Sequence, residues 1–260
     1  MNNPHIATTR STHLAQANFH PTIRTESEID MKVEWLPFTV RLVRNEEDLF
    51  KAVQIRHSAY ARHMPLVAET LKTPEKTDTE DGVAILLAES KIDGTPIGSV
   101  RIQSNRYRPL SLEKSVQLPN WLKDLSLAQV SRFGVAKGTI GRLVKMILVK
   151  GCLQYSKENY IDWDVIAARA PLDRTYRQLT YQDIFPEAGY IPLPHMDNVP
   201  HRIMGFEVAT CAERLTAMKH PLLDFFTHTQ HPDIDVTNRR TKTYLHADSK
   251  NSRQTNSLVS

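Results

Sequence analysis

Six cationic side chains and no carboxylate lie between Gln129 and Lys157. The six are Arg132, Lys137, Arg142, Lys145, Lys150 and Lys157. The imbalance is local, because the whole chain of 260 residues has 33 Lys and Arg against 29 Asp and Glu, a net charge of +4. A local excess of positive charge favours an anionic partner, although the same residues could form the solvated face of a helix. Charge alone does not identify the anion.

The most specific part of this stretch is the predicted turn from an apolar strand into a basic helix. Lys137, Gly138, Gly141 and Arg142 occupy that turn. A helix N-terminus presents unpaired backbone N–H groups and a partial positive charge, and both attract phosphate. We therefore predict a phosphate-binding turn at these residues. Lys145, together with Lys150, would extend the surface along the helix.

Apolar patterning predicts the elements that position these residues. The predicted strands are Phe38 to Val43, Ala84 to Glu89, Ile97 to Gln103, Leu127 to Val135, Asp164 to Ala168 and Ile203 to Thr210. The predicted helices are one capped by Asn45, one from about Thr139 to Lys157 and one from Pro171 to about Tyr181. The stretch Asn105 to Asn120 is predicted to be a long surface excursion. This order of elements predicts an α/β fold, of the α+β type, in which helices cover a mixed sheet.

Residues 37–228 are predicted to form a single domain, because both ends of the chain lack the apolar density that a core requires. Residues 1–36 contain no sustained apolar run and are expected to be a mobile segment without a secretory signal or a transmembrane span. Residues 229–260 are rich in Thr, Asn, Ser, Lys and Arg and are expected to be a disordered tail.

Cysteine and histidine usage indicates a reducing compartment and no metal. Only Cys152 and Cys211 are present, too few for a disulfide framework and without metal-ligand spacing, which predicts a cytoplasmic protein. The histidines at 195, 201, 220, 228 and 231 do not form a helical i, i+4 pair with an interposed acid. We predict no metal site.

The element order and four short motifs resemble the N-acyl amino acid synthases, a branch of the GNAT acyltransferases related to the acyl-homoserine lactone synthases. The motifs are Arg56-x-x-x-Tyr60, Asp81, Gly98-Ser-Val-Arg101 and Val130-Ser-Arg-Phe-Gly-Val135. The similarity runs from Phe38 to about Glu207. The resemblance implies a mostly antiparallel sheet that is splayed at its central strands.

The resemblance also implies the reaction and its partners. Such enzymes move a long acyl chain from an acyl carrier protein, or from acyl-CoA, to the amine of an amino acid or a similar small molecule. The backbone amides of Phe133, Gly134 and Val135 would stabilise the thioester oxyanion if the strand is irregular there. The phosphate of the acyl-phosphopantetheine donor matches the predicted turn at Lys137. We expect no permanently bound cofactor and no nucleic-acid partner.

Two departures from the family pattern bear on mechanism. At Gln129, where the synthases usually have Glu, a neutral amide cannot act as the base for the incoming ammonium group. Three alternatives remain for this proton. It could pass through water and backbone carbonyls, a different carboxylate such as Asp81 could accept it, or the protein could have lost turnover. The spacing of Gly138 and Gly141 also differs from the pattern typical of acetyl-CoA users, which weakens a coenzyme A donor without excluding it.

Each of the remaining candidate residues could have either a structural or a functional role. The motif residues that the resemblance assigns to substrate contact are Arg56, Tyr60, Asp81, Arg101, Ser131 and Arg132. We expect the three arginines to form a buried ion-pair network with Asp78, Glu80 or Asp81, and one of them could instead bind an acceptor carboxylate. Tyr176 matches a helix position where some GNAT enzymes hold a Tyr that protonates the leaving thiolate; its alternative role is core packing.

Two other functions compete with N-acyl transfer. One is a lactone-signal synthase that consumes S-adenosylmethionine. The other is a non-catalytic module that binds the acyl carrier after losing its base, for which Gln129 is the main motivation.

Overall fold

The computed structural model describes residues 31–237, and a nine-stranded mixed sheet is its central feature. The strands are β1 (Lys32–Val33), β2 (Phe38–Leu42), β3 (Val83–Ser90), β4 (Pro96–Ser104), β5 (Leu127–Val135), β6 (Trp163–Arg169), β7 (Gln182–Asp183), β8 (Ile191–Pro192), β9 (Pro200–Glu207), β10 (Thr229–Gln230) and β11 (Ile234–Asp235). The sheet order is β11-β2-β3-β4-β5-β6-β9-β7, with β8 paired to β9, and β1 and β10 form a separate pair. Only the β11–β2 and β5–β6 pairs in the large sheet are parallel. The mixed, mostly antiparallel sheet is therefore as predicted.

Helices cover both faces of this sheet. They are α1 (Glu46–Ala61), α2 (Pro65–Glu69), α3 (Gly138–Glu158), α4 (Leu172–Gln178), α5 (Cys211–Ala217) and α6 (Leu223–Thr227), and short 3₁₀ turns occupy Lys76–Thr79, Ser111–Lys114, Asn120–Leu122 and Pro194–Met196. Asn45 caps α1, since its Oδ1 accepts a hydrogen bond of 2.8 Å from the Asp48 amide. No helix between residues 31 and 237 combines the length and apolar composition that a bilayer crossing requires.

The two long helices pack on opposite faces. Val144 and Leu148 of α3 belong to the main core cluster together with apolar residues of β2 to β4. Leu49 and Val53 of α1 pack on the other face of β3. Because strand side chains alternate between faces, a helix on each side buries both sets of strand side chains.

The folded part extends beyond the predicted domain bounds at both ends. Lys32–Val33 pairs with Thr229–Gln230, and Ile234–Asp235 adds a strand beside β2. The expectations of a mobile start through residue 36 and a tail from residue 229 are therefore wrong for 31–36 and 229–237. These strands are only two residues long, so their apolar pattern is too short to recognise. The rest of both predicted segments lies outside the described residues.

The predicted surface excursion also contributes to the core. Leu110 and Leu112 have relative exposures of 1% and 0% and join a second core cluster that covers one end of the sheet. The prolines and polar residues around them made the segment resemble a loop. Its two leucines instead anchor it against β5 and β6.

Candidate active site

A cleft opens where β5 and β6 separate. The two strands pair in register only from Leu127–Trp163 to Gln129–Val165, although β5 continues to Val135 and β6 to Arg169. The cleft has a volume of about 250 Å³. The predicted site residues that line it are Tyr60, Ser131, Arg132, Phe133, Val135, Lys145 and Tyr176. The expected splay at the central strands is therefore present.

A bulge in β5 lies beside this cleft. Gly134 pairs with Ser99 and Ser131 pairs with Arg101, so β5 has one residue more than β4 between these pairs. Arg132 adopts a φ of 53° there, in the left-handed region. The strand irregularity is thus centred on Arg132 rather than on Gly134. Gly134 has a packing role, since a methyl group on it would approach the Arg56 Cα of α1 to 3.0 Å.

The bulge and the strand separation leave backbone groups of Val135 facing the cleft. The next residue, Ala136, donates its N–H to Ile97 O at 2.9 Å and so faces the β4 side. Backbone groups of successive strand residues point to opposite edges, so those of Val135 face the edge that β6 has left. Consistent with this, the Val135 carbonyl accepts a hydrogen bond of 2.6 Å from Arg62 Nη2. The Val135 N–H is therefore the best placed of the predicted amides to donate to a bound carbonyl.

The turn from β5 into α3 has the features of an anion site. Lys137 precedes the helix without a side-chain cap, and the first turn of α3 contains no acid. Gly138 has a φ of +82°, and a Cβ on Gly141 would lie 1.9 Å from the Ala136 carbonyl oxygen. Both glycines are therefore required by the shape of this turn. The four predicted turn residues do not line the cleft itself; they lie at its α3 end.

The cationic stretch divides into exposed and buried members. Lys137 and Arg142 are exposed, and Lys145 lines the cleft. Lys150, expected to extend this surface, is buried: its Nζ donates to Thr229 O at 2.5 Å and contacts the Phe225 carbonyl oxygen. The apolar side chains of Ile140 and Leu143 are exposed beside the cations, with relative exposures of 37% and 40%. The accessible surface at the start of α3 is therefore both cationic and apolar.

The three motif arginines are paired with two acids from a single loop. Arg56 Nη1 lies 2.9 Å from Asp78 Oδ2, and Arg101 Nη1 lies 3.2 Å from Asp78 Oδ1. Arg132 binds Glu75 through two hydrogen bonds of 2.7 Å, and Arg101 Nη1 lies 3.0 Å from the same carboxylate. The expected ion-pair network is therefore formed with Asp78. Glu75 was not foreseen; its only sequence signal is its position three residues before Asp78.

This network shifts the pKa of its members. Burial raises the pKa of Glu75, but hydrogen bonding and attraction from Arg132, with the charges of Arg101 and Arg56, outweigh it and lower the pKa to about 2. Burial lowers the pKa of Arg132, and its contacts with Glu75 and Tyr60 raise it above the usual arginine value. Glu75 and Arg132 are therefore fixed in their charged forms at neutral pH.

The assignments of Gln129 and Asp81 to substrate chemistry do not fit their positions. Gln129 is buried where β5 and β6 are still paired, and its Oε1 accepts a hydrogen bond of 2.9 Å from the Leu112 amide. Asp81 is exposed and does not line the cleft. Gln129 therefore has a structural role, which removes the main motivation for a module that lost its base at this position.

Tyr176 of α4 lies on the cleft wall and also packs against the core. Its ring meets Tyr181 edge-on, with centroids 5.3 Å apart. Burial raises the pKa of Tyr176 above its usual value, with a smaller contribution from Tyr60. The hydroxyl therefore stays protonated at neutral pH and can donate a proton or a hydrogen bond.

His201, at the start of β9, is a cleft residue that sequence reasoning considered only as a metal ligand. Its Nδ1 lies 2.6 Å from the Val199 carbonyl oxygen. A carbonyl can only accept, so Nδ1 carries the hydrogen and Nε2 has a lone pair when the ring is neutral. Burial lowers the pKa of His201, which favours that neutral form. Residues 31–237 contain no cluster of three or more His, Cys, Asp or Glu side chains able to hold a metal ion.

Comparisons with known proteins agree with this architecture. FeeM, an N-acyl amino acid synthase from uncultured soil microbes, superposes with a TM-score of 0.55 over 70% of this chain and 96% of its own, at 17% sequence identity. BjaI, a CoA-dependent acyl-homoserine lactone synthase solved with SAM and isopentyl-CoA, gives a TM-score of 0.51 over 75% of this chain and 93% of its own, at 12% identity. The chain shares the fold of these two synthases. No protein-family model matches the sequence, and no curated protein matches it significantly. The GNAT-like fold that the motifs suggested is therefore confirmed.

Proposed function

We propose that this protein is an N-acyltransferase that moves an acyl group from a phosphopantetheine thioester to the amine of an amino acid or a similar small molecule. The observation that carries the proposal is the Val135 N–H at the opened edge of β5. An amide fixed in this way can stabilise negative charge on a thioester oxygen without reorganising during the reaction. Removal of one such donor from an enzyme typically costs about 100-fold in rate.

The start of α3 supports a donor that carries phosphate. The unpaired N–H groups at Gly138 and the side chains of Lys137 and Arg142 together suit the phosphate of a phosphopantetheine arm. Lys145, further along α3, lines the cleft itself and so adds positive charge between this turn and the proposed thioester site. Donor binding is thus assigned to Lys137, Gly138, Gly141, Arg142 and Lys145.

An acyl carrier protein is the proposed source of that arm. Ile140 and Leu143 are exposed beside Arg142, so the surface offers apolar contact together with positive charge. Free acyl-CoA needs the cations but gains less from exposed apolar residues outside the cleft. An acidic carrier protein with an apolar contact surface fits both features.

The test uses the full-length protein with a long-chain acyl carrier protein, the matching acyl-CoA and a mixture of the standard amino acids. We expect carrier thiol release together with a product whose mass is that of an N-acyl amino acid. The substitution Leu143→Asp should raise KM for the carrier but not for acyl-CoA. Thiol release at the background rate for every donor and acceptor would refute the proposal, and formation of methylthioadenosine from added S-adenosylmethionine would assign lactone synthesis instead.

A further inference from the structure

Arg169 and His201 face each other across β6 and β9 on the wall of the cleft. They are register partners at the end of β6. Side chains directly opposite each other in antiparallel strands lie close together, with Cβ atoms about 4.5–5.5 Å apart. A guanidinium and an imidazole are therefore neighbours on one wall.

This pair lies on the face of the sheet opposite to α3. Ala167 and Ile203, two residues away on the same strands, pack in the second core cluster, which also includes Tyr60. Residues two apart on a strand share a face, so Arg169 and His201 face the α1 side. Since α3 packs on the other face, an acceptor bound at Arg169 would meet the donor from the opposite side of the opened sheet.

His201 is equipped to accept a proton. Its Nδ1–H is held by Val199 O, and Nε2 makes no hydrogen bond to a described residue. The cleft lining contains no carboxylate. The titratable side chains that line the cleft with His201 are Tyr60, Arg62, His63, Arg132, Lys145, Arg169 and Tyr176, and His195 lies nearby. Cations and neutral hydroxyls dominate this set, so the imidazole is neutral when an ammonium group arrives.

Arg169 has the free charge that the motif arginines lack. The only hydrogen bond of its side chain within residues 31–237 is from Nη1 to Ala170 O, at 3.2 Å, and this side chain forms no ion pair with a described carboxylate. Arg56, Arg101 and Arg132 are instead each held in ion pairs with Glu75 or Asp78. Arg62, the other arginine of the cleft lining, holds the Val135 carbonyl oxygen at 2.6 Å, a shorter contact than the 3.2 Å bond of Arg169. A carboxylate entering the cleft therefore finds its bidentate partner at Arg169.

We propose that Arg169 and His201 form an acceptor subsite for α-amino acids, in which Arg169 binds the carboxylate and His201 Nε2 takes a proton from the ammonium group. This inference rests on the proposed function. The neutral amine then attacks the thioester carbon, the C–N bond forms and the C–S bond breaks. The first proton leaves on the imidazole and passes to water. The second, lost from the new amide nitrogen, ends on the leaving sulfur as the free thiol.

The decisive variant is His201→Asn, whose amide N–H can keep the bond to Val199 O while the Nε2 atom is lost. We expect kcat/KM for the acceptor to fall about 100-fold at neutral pH and to recover as pH rises past the pKa of the acceptor amine. The melting temperature should stay unchanged. His195→Asn, outside the cleft lining, is the control. His63 is another histidine of the cleft lining. An unaltered pH profile in His201→Asn, or the same pH effect in His63→Asn, would overturn the proposal.

Arg169 is tested by substrate comparison. Arg169→Gln should raise KM for an amino acid at least tenfold, about 1.4 kcal/mol, and leave KM for the corresponding decarboxylated amine unchanged. Arg174→Gln, an exposed arginine on α4, is the matched control. Equal losses for the amino acid and the amine would contradict a carboxylate contact.

Failure of the proposed function can be separated from failure of this inference. If wild-type protein releases no thiol with any donor, the subsite is examined by nitrogen NMR of labelled histidine, with each standard amino acid added singly. A shift of the His201 Nε2 signal that Arg169→Gln abolishes would support the subsite. No shift with any amino acid would refute it.

Discussion

The Arg132 guanidinium and the Glu75 carboxylate form a two-point ion pair, with Nε 2.7 Å from Oε2 and Nη2 2.7 Å from Oε1. Arg132 is the residue with the positive φ in the β5 bulge. The loop that contains Glu75 therefore fixes the side chain of the residue at which the strand opens. Paired charges at this position hold the geometry of the cleft, and they are not available to bind substrate.

Replacing Glu75 with Gln should lower the free energy of unfolding by about 3 kcal/mol, because Arg132 and Arg101 lose their shared counter-charge in a mostly buried site. Urea unfolding measures the change. Glu69→Gln is the control, since its pair with Lys72 is exposed to solvent and should contribute little to stability. Equal effects of the two substitutions would show that the Glu75 network adds no more than a surface pair.

The same carboxylate predicts an acid-dependent loss of stability. The pKa of Glu75 is about 2 in the folded protein, below its usual 4.5. The unfolded chain therefore binds more protons in this interval, so the stabilisation is complete above pH 4.5 and is lost as pH falls towards 2. The expected loss is about 3 kcal/mol. Unfolding of wild type and Glu75→Gln across this range should converge at low pH; a constant difference would contradict the assignment.

Gly141→Ala should destabilise the protein by about 3 kcal/mol or more, because the new methyl group would lie 1.9 Å from the Ala136 carbonyl oxygen and would push α3 away from β5. Under the proposed function, KM for the donor should rise as well. Gly189→Ala is the control: it has a φ of +63° with open space around it, so it should cost only about 1–2 kcal/mol of backbone strain. A milder effect at Gly141 than at Gly189 would exclude the close contact.

Strand and helix periodicity predicted most of the fold, and β5 has the predicted bounds of Leu127 and Val135. A strand of two residues is too short to show the alternation of apolar and polar side chains. The sequence therefore places β10 and β11 in a tail. The prediction of a surface excursion at Asn105 to Asn120 was wrong for a different reason. Its polar residues indicate an irregular backbone, but the burial of Leu110 and Leu112 depends on the residues that pack against them from elsewhere in the chain.

The candidate site was predictable only where a residue belongs to a local motif. The Ser131–Arg132–Phe133 segment led directly to the opened strand. The ion-pair partner of Arg132 could not be predicted in the same way, because Glu75 lies 57 residues away in sequence. His201 also carries no local signal of a cleft position, since its place there depends on the pairing of β9 with β6.

Lys150→Met should release the segment that follows α5. The Lys150 ammonium group is buried and donates to Thr229 O and to the Phe225 carbonyl, with His231 Nδ1 at 3.1 Å. Loss of these hydrogen bonds leaves two carbonyls without a donor, at about 1–3 kcal/mol. We expect faster hydrogen exchange in β10 and β11, with Lys157→Met as the exposed control. Unchanged exchange in Lys150→Met would show that the apolar contacts of α6 suffice to hold the segment.

Tyr176→Phe should lower kcat about 100-fold if the hydroxyl protonates the leaving thiolate. Its edge-on contact with Tyr181 needs only the ring, so the melting temperature should not change. Tyr181→Phe, which is outside the cleft lining, is the control.

The leaving group then separates proton donation from positioning. A thioester of an acidic thiol, such as an aryl thiol, departs without protonation, so its rate should be almost the same in wild type and Tyr176→Phe. The donor thioester of a phosphopantetheine arm has a basic thiol and should show the full loss. If both thioesters slow by the same factor in stopped-flow thiol detection, Tyr176 positions the donor through packing and does not supply the proton.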